Sequence, residues 1–194
     1  MEPKLKIMAA VETAQIPLGF IAPDFRLLDV VKNQQVGFSE LKGERATVIM
    51  FICNHCPYVK HIFDGLVQLG NDYLNKPISF IAISSNDVIN YPDDGPEKMK
   101  ELAIRLNFPF PYLYDDTQNV AKAYHAECTP DFSIFDKDAK CVYRGQLDDS
   151  RPGNEIPVTG NDIRMALDAM CQGINVNTHQ KPSIGCSIKW FPDK

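Results

Sequence analysis

The clearest indication of the fold comes from residues 46–57, Ala-Thr-Val-Ile-Met-Phe-Ile-Cys-Asn-His-Cys-Pro. Its first part is an unbroken run of apolar and β-branched residues, which is typical of a strand buried on both faces of a sheet. Apolar residues then recur at helical spacing, and Pro57 stands where a first-turn proline is tolerated. The stretch therefore predicts a buried strand that leads into a helix over about 57–74, with Cys53 and Cys56 at the junction.

The segments on either side of this junction predict a mixed α/β fold. A second buried strand at 78–83 completes a strand-helix-strand unit, for which parallel pairing is the default. The remaining predicted elements are a hairpin at 25–31 and 36–38, a helix at 96–106, a strand at 112–114, a helix at 119–124, a strand hairpin at 132–135 and 141–143, and a helix at 163–170. We expect a central mixed sheet flanked by helices, with the first hairpin as an N-terminal extension.

The length of 194 residues is that of one domain. Because no internal repeat or low-complexity segment divides the chain, we expect a single domain over 1–194. Residues 1–19 lack sustained periodicity and predict a loosely held lead-in, and residues 175–194 predict an irregular tail. The charged loop at 146–161 is long enough to be functional, although a solvated connection is an equally good interpretation.

The composition excludes several classes of protein. Hydrophobic residues make up 44% of the chain and charged residues 23%, which argues against a disordered, collagen-like or coiled-coil protein. The net charge is −5 and basic residues are not clustered, so we expect no nucleic-acid partner. The apolar runs are too short for a membrane span, and Lys4, Lys6 and Glu12 interrupt the segment that an export signal would need. We therefore expect a cytoplasmic protein.

The chain has six cysteines. In a reducing compartment they favour thiol chemistry or metal binding over a disulfide framework. Cys53 and Cys56 form the sharpest pair, because a helix N-terminus carries positive partial charge that favours a thiolate. We expect Cys53 to be the exposed nucleophile and Cys56 to resolve its mixed disulfide. As an imidazolium, His55 would stabilise the Cys53 thiolate and give an oxidising couple, unless it is only an exposed loop side chain.

A second motif, Thr129-Pro130, precedes the predicted strand at 132–135. A Cys-x-x-Cys motif after a buried strand, combined with a late Thr-Pro, is similar to the thioredoxin fold. The segments 22–25 and 38–43 resemble the alkyl hydroperoxide reductase/thiol-specific antioxidant branch of that superfamily. The resemblance implies that the peptide bond before Pro130 is cis, and that the Thr129-Pro130 loop faces the dithiol and holds an extended substrate segment.

More narrowly, the chain resembles a bacterial subfamily of uncharacterised thioredoxin-like proteins. The residues that carry this resemblance are 51–61, 128–132, 143–152 and 185–190.

Two departures separate the chain from better-known relatives. Peroxiredoxins carry a proline and a hydroxyl residue seven and three positions before the peroxide-attacking cysteine, where this chain has Ala46 and Met50. Thioredoxins carry a buried acid six positions before the first cysteine, where this chain has Thr47. A different base, such as water or Glu127, would then have to accept the proton of Cys56.

The other four cysteines divide by position. Cys128 precedes Thr129-Pro130 and would lie close to the dithiol, and Cys186 lies in the predicted tail. Both are candidate auxiliary thiols, and the alternative for each is a small buried hydrophobic side chain. Cys141 in a strand and Cys171 at a helix end are interpreted as structural.

The dithiol is compatible with three functions. The first is a thiol-disulfide oxidoreductase acting on protein or small-molecule thiols and disulfides, in which Cys53 attacks and Cys56 resolves. The second is a thiol-dependent hydroperoxide reductase that oxidises Cys53 to a sulfenic acid. The third is a zinc-binding module with Cys53, His55 or His61, Cys56 and Cys128 as ligands, although a second closely spaced pair is missing. We favour the first, with no cofactor and no metal, and the sequence does not indicate an oligomeric state.

Overall fold

The computed structural model describes residues 10–192. Its elements are β1 (Ala10–Glu12), β2 (Arg26–Asp29), β3 (Gln34–Gly37), α1 (Phe38–Leu41), β4 (Ala46–Phe51), α2 (Pro57–Asp72), β5 (Ile78–Ser84), α3 (Pro96–Arg105), β6 (Tyr112–Tyr114), α4 (Asn119–Ala123), β7 (Cys128–Thr129), β8 (Asp131–Asp136), β9 (Cys141–Gly145), α5 (Asn161–Gln172) and β10 (Ile184–Ser187). Each strand and helix predicted from the sequence is present. Among the described residues, no helix is long and apolar enough to cross a membrane.

Seven strands form the central mixed sheet, in the order β3-β2-β6-β5-β4-β8-β9. Strand β4 lies inside this sheet, parallel to β5 and antiparallel to β8. Its side chains alternate between two apolar cores, with Val48 and Met50 in one and Ile49 and Phe51 in the other. All six residues of β4 are buried, which explains the unbroken apolar run in the sequence. The predicted α/β fold with its N-terminal hairpin is confirmed.

Helix α2 begins at Pro57 and has Cys56 as its N-cap residue. Its buried residues, which include Val59 and Leu66, pack in the same core as Val48. The connection from β4 to α2 is therefore the short segment 52–56, which contains both cysteines of the dithiol.

A second, three-stranded sheet corrects the expectation for the two ends of the chain. Strand β10 lies between β1 and β7 and is antiparallel to both. The predicted tail at 175–194 is thus not irregular throughout, and the predicted lead-in at 1–19 contains a strand. These strands are only three and four residues long and come from distant parts of the chain, so neither produces a periodic pattern. The part of the lead-in at 1–9 lies outside the described residues.

A buried ion pair within the central sheet also holds the segment after β1. Arg144 on β9 donates to Oδ2 of Asp131 at 3.2 Å, and their side chains are 4% and 1% exposed. The hydroxyl of Thr13 donates to the same oxygen at 2.6 Å. Arg144 also donates to the backbone carbonyls of Ala14 and His125. The segment after β1, the loop before β7 and the start of β8 are therefore held in one place.

The Arg144→Met variant should be destabilised by about 3–5 kcal/mol, because the Asp131 carboxylate would stay buried without its partner. Urea unfolding of the reduced protein measures this change. Arg26→Met is the matched control, since Arg26 pairs with Glu40 in an ion pair whose side chains are 62% and 50% exposed. We expect the control to lose at most about 1 kcal/mol. Equal losses in the two variants would contradict a role for burial.

Candidate active site

Cys53 and Cys56 lie at the end of β4 and the start of α2, as the sequence predicts. Both are buried, with 1% and 0% of the residue exposed. The expectation that Cys53 is exposed is therefore wrong. The reason is that neighbouring loops close over the end of β4, one of them carrying Thr129 and another carrying Asp94.

Thr129 contacts both sulfurs. Its Oγ1 lies 3.4 Å from Sγ of Cys53, and its carbonyl oxygen lies 3.3 Å from Sγ of Cys56. The Thr129–Pro130 peptide bond is cis, as the resemblance to the thioredoxin fold implies. The structure thus brings the two predicted substrate-binding residues next to the dithiol.

Asp94 is a residue of this site that the sequence analysis missed. It ends a 3-10 turn at Pro92–Asp94 and is fully buried. Its Oδ1 accepts the backbone N–H groups of Asn54 and His55 at 2.7 and 3.2 Å. Its Oδ2 accepts Nδ1–H of His55 at 2.5 Å and the side-chain amide of Asn86 at 2.8 Å. One carboxylate therefore fixes both the backbone and the histidine of the Cys-x-x-Cys loop.

The topology of the sheet explains why Asp94 lies at this site. The turn at Pro92–Asp94 follows β5, which runs parallel to β4. The carboxyl ends of parallel strands meet at one edge of a sheet, so acids in the loop after β5 are candidates for contact with Cys53. What the sequence does not indicate is which of the neighbouring acids, Asp93 or Asp94, turns inward.

His55 lies close to Cys53, as expected, but its partner is Asp94. The imidazole stacks on the ring of Tyr91 with 5.0 Å between centroids. Its Nε2 is buried and has no hydrogen-bond partner among the described residues. Ligand atoms of Cys53, His55 and Asp94 lie within 4.8 Å of one another, close enough to hold a metal ion or to exchange a proton.

The four-ligand zinc site considered from the sequence differs from this cluster. His61 hydrogen-bonds to Ser150 at 2.7 Å. Cys128 donates to the carbonyl oxygens of Pro130 and Ser183 at 3.8 and 4.0 Å. Among residues 10–192, neither side chain joins a group of three potential ligands. The contacts of Cys128 are those of a packing residue, and its auxiliary redox role stays a prediction.

The two sulfurs of the dithiol differ in acidity. Burial, the hydrogen bond to Cys56 and the charge of Asp94 raise the pKa of Cys53 well above its usual value. Hydrogen bonds from the thiols of Cys186 and Cys53, with the N–H of Val59, lower the pKa of Cys56. The thiolate on Cys53 expected from the sequence stays a prediction, and the contacts of Cys56 favour a thiolate at that second sulfur.

A segment near the C-terminus, residues 184–191, covers the dithiol, and we call it the strap. Its strand β10 pairs with β7, so that Cys186 faces Thr129. Beyond the strand, the N–H of Lys189 donates to Oδ1 of Asn86 at 2.8 Å, and its carbonyl oxygen accepts the N–H of Asp87 at 2.7 Å. The strap is thus anchored to the loop after β5 as well as to β7.

The loop at 146–161 packs beside the site. Oδ2 of Asp148 accepts the N–H groups of Thr159 and Gly160 at 2.7 and 2.6 Å, which closes the loop on itself. The bond between His61 and Ser150 then ties the loop to α2. A small cavity of about 20 Å³ remains between this loop and the dithiol region, and its lining includes Tyr58, Pro130, Phe132, Leu147 and Ile184.

Comparison with known proteins gives two informative matches. The model of the AhpC/TSA family matches residues 18–144. The crystal structure of an uncharacterized conserved protein from Geobacillus kaustophilus is 61% identical, with a TM-score of 0.95, over 96% of this chain and 99% of that chain. The search of curated proteins gave no match.

Two less similar structures share the fold. The thioredoxin domain of a thiol-disulfide oxidoreductase from Bacteroides vulgatus is 18% identical, with a TM-score of 0.59, over 77% of this chain and 97% of that chain. Peroxidoxin BcpB from Mycobacterium tuberculosis is 17% identical, with a TM-score of 0.60, over 81% of this chain and 98% of that chain.

Asp94→Asn should lower the pKa of Cys53, because the substitution removes a carboxylate charge that raises it. The measurement is the pH dependence of iodoacetamide alkylation at Cys53, read by mass spectrometry in a Cys56→Ser background, where Cys53 titrates without its coupled neighbour. Asp93→Asn removes the adjacent, exposed carboxylate and should leave the midpoint unchanged. A midpoint that is unchanged or higher in Asp94→Asn would contradict the assignment.

Proposed function

The chain belongs to the AhpC/TSA family, and from this premise we propose that it is a thiol-disulfide oxidoreductase that uses Cys53 and Cys56 as a dithiol/disulfide switch. The observation that carries the proposal is the contact of Thr129 with both sulfurs, at 3.4 and 3.3 Å. Proteins of this fold hold an extended substrate segment on the loop of the cis-proline, here Pro130. The substrates would be disulfides of proteins or small molecules, in a reducing compartment such as the cytoplasm.

In the first step, Cys53 attacks one sulfur of a substrate disulfide. The pair formed by His55 and Asp94 accepts the proton of the Cys53 thiol, which lies within 4.8 Å of it. A bond forms between Cys53 and the substrate sulfur, the substrate disulfide breaks, and the other substrate sulfur leaves as a thiolate. Because nucleophilicity rises with pKa, the Cys53 thiolate is the stronger nucleophile of the two, once it forms.

In the second step, the Cys56 thiolate attacks the sulfur of Cys53. The mixed disulfide breaks, and the second substrate sulfur leaves as a thiolate that takes up a proton. The protein ends as the Cys53–Cys56 disulfide and the substrate as two thiols, so two electrons have moved and no cofactor is needed.

The stabilised thiolate of Cys56 also sets the direction of the reaction. Stabilising the thiolate favours the reduced protein over its disulfide, as in strongly oxidising members of the fold. We therefore expect an oxidising couple, as the sequence analysis did. The cause differs, since the stabilising contacts surround Cys56 and the partner of His55 is Asp94.

Substrate entry would require movement of the strap, because both sulfurs are buried. The cavity lined by Tyr58, Pro130 and Leu147 lies beside the cis-proline, where an extended substrate segment would bind, and Asp148 and Arg151 give it polar walls. The loop at 146–161 forms one wall of this cavity, which supports a functional interpretation of the loop.

Cys53→Ser and Cys56→Ser should each reduce disulfide turnover to the uncatalysed background, because the cycle needs both sulfurs. The assay is the reduction of insulin by dithiothreitol, with and without the protein. Cys171→Ser is the matched control, because Cys171 lies on α5 and is only partly buried. Turnover that survives in Cys53→Ser would rule out Cys53 as the attacking residue.

A second candidate function, hydroperoxide reduction, is favoured by the hydroxyl of Thr129. Peroxiredoxins place a hydroxyl beside the attacking cysteine, and Met50 does not supply one. Oγ1 of Thr129 lies 3.4 Å from Sγ of Cys53 and offers such a group. Cys53 would cleave the peroxide O–O bond, become a sulfenic acid and release an alcohol, after which Cys56 would displace water to form the disulfide.

Thr129→Val should slow peroxide consumption by roughly ten- to a hundredfold if the hydroxyl supports a Cys53 thiolate, whereas Thr129→Ser should retain most of the rate. Stopped-flow measurement of peroxide loss, with free cysteine as the reference, tests this. Consumption by the wild type no faster than that of free cysteine would exclude the second candidate and leave disulfide exchange as the proposed function.

A further inference from the structure

The strap brings a third sulfur to the dithiol. Cys186 is 2% exposed and lies opposite Thr129 in the pairing of β10 with β7. Thr129 is the residue that contacts both Cys53 and Cys56. The register of one short strand pair therefore places Cys186 at the site that the proposed function uses.

Gly185 sets how closely the strap approaches this site. A Cβ atom on Gly185 would lie only 2.0 Å from the carbonyl oxygen of Thr129. The absence of a side chain thus allows the two backbones to touch. Cys186, the next residue, is held against the loop by strand pairing and backbone packing.

Cys186 lies in the same buried core cluster as Cys53 and Cys56, and its thiol lowers the pKa of Cys56. The backbone N–H of Tyr58, in the first turn of α2, lowers the pKa of Cys186, and the N–H of Cys186 lowers the pKa of Cys56. Both sulfurs therefore share the N-terminal end of α2, where unpaired N–H groups stabilise negative charge.

The contacts of Cys186 differ from those of the other deeply buried thiols. Cys128 donates to the backbone carbonyls of Pro130 and Ser183, and Cys141 donates to that of Tyr143 at 3.3 Å. Such contacts satisfy a thiol as a small packing residue. Cys186 instead lies in one buried core cluster with Cys53 and Cys56, from which Cys128 and Cys141 are absent, and proximity to another cysteine is what disulfide exchange requires.

We propose that Cys186 is a third catalytic thiol, which takes over the disulfide from Cys53 and ends in a bond with Cys56. The inference deepens the proposed function and rests on it, because the Cys53–Cys56 disulfide is its starting point.

The exchange is balanced within the protein. The thiolate of Cys186 attacks Sγ of Cys56, a Cys56–Cys186 bond forms, and the Cys53–Cys56 bond breaks. Cys53 leaves as a thiolate and takes up the proton that Cys186 has lost. The two oxidising equivalents received from the substrate are then held in the Cys56–Cys186 disulfide, which links the start of α2 to the strap. Cys53 is again a reduced thiol. An external thiol reductant closes the cycle by reducing the Cys56–Cys186 bond.

The groups around Cys186 determine at which stage of the cycle its thiol can react. In the reduced protein, the hydrogen bond to Cys56, burial and the charge of Cys56 raise the pKa of Cys186, so Cys186 keeps its proton. A disulfide at Cys56 carries no negative charge, and its formation removes the first and third of these causes. The ammonium of Lys189, which lowers the pKa of Cys186, remains nearby. Cys186 thus becomes reactive after the first disulfide has formed.

The test is to follow disulfides in the full chain after oxidation with one equivalent of diamide. Samples are quenched with acid at successive times, free thiols are blocked with N-ethylmaleimide, and unreduced peptides are mapped by mass spectrometry. In the wild type, the Cys53–Cys56 bond should appear first and be replaced by Cys56–Cys186, while Cys53 becomes available to the blocking reagent. In Cys186→Ala, the first bond should persist. Cys141→Ser should show the wild-type order.

Cys53→Ser keeps the strap intact and isolates the new bond, because only Cys56 and Cys186 then meet at the site. It should form the Cys56–Cys186 disulfide directly. The third-thiol proposal is overturned if the Cys56–Cys186 disulfide forms neither in Cys53→Ser nor in the wild type, while the wild type does form Cys53–Cys56. The proposed function then stands. If neither bond forms, both are overturned.

Discussion

The pairing of β4 with β5 and β8 is the constraint on which the site depends. Phe51, the last residue of β4, pairs with Ile83 near the end of β5 and with Asp131 at the start of β8. Because β5 is parallel to β4 and β8 is antiparallel, the loop after β4, the loop after β5 and the loop before β8 emerge at one edge of the sheet. Cys53 and Asp94 lie in the first two of these loops, and Thr129 ends β7 directly before the third. A shift in the register of either pair would separate them.

At that edge, the Asp94 carboxylate and the N-terminus of α2 have opposite effects on the pKa values of the two cysteines. Asp94 raises the pKa of Cys53, while Cys56 receives hydrogen bonds from neighbouring thiols and from the first turn of α2. A thiolate is therefore favoured at Cys56, the N-cap residue of α2, over Cys53. Asp94 also has a structural role, because it accepts four hydrogen bonds, from the backbone of the Cys-x-x-Cys loop, from His55 and from Asn86. The acidity of each thiol follows from its partners more than from its place in the Cys-x-x-Cys motif.

The sequence allowed the central sheet to be predicted, because burial on both faces of β4 leaves an uninterrupted apolar run and α2 leaves a clear helical period. It also allowed Cys53, Cys56, Thr129 and Pro130 to be brought together through the resemblance to a known fold. It could not give the strand pairs of β10, which are short and join distant segments. Nor could it give the inward turn of Asp94, since a single acid in an aperiodic loop has the same local pattern whether it is buried or exposed.

The position of β10 has a consequence for the way the chain folds. All seven strands of the central sheet precede β10 in the sequence, so the sheet and its dithiol can assemble before the strap is available. During vectorial synthesis, the sulfurs of Cys53 and Cys56 would pass through a period in which they are ordered but uncovered. The strand that is last in chain order is also the one that covers the dithiol, so on this order of events the completion of folding would coincide with protection of the reactive thiols.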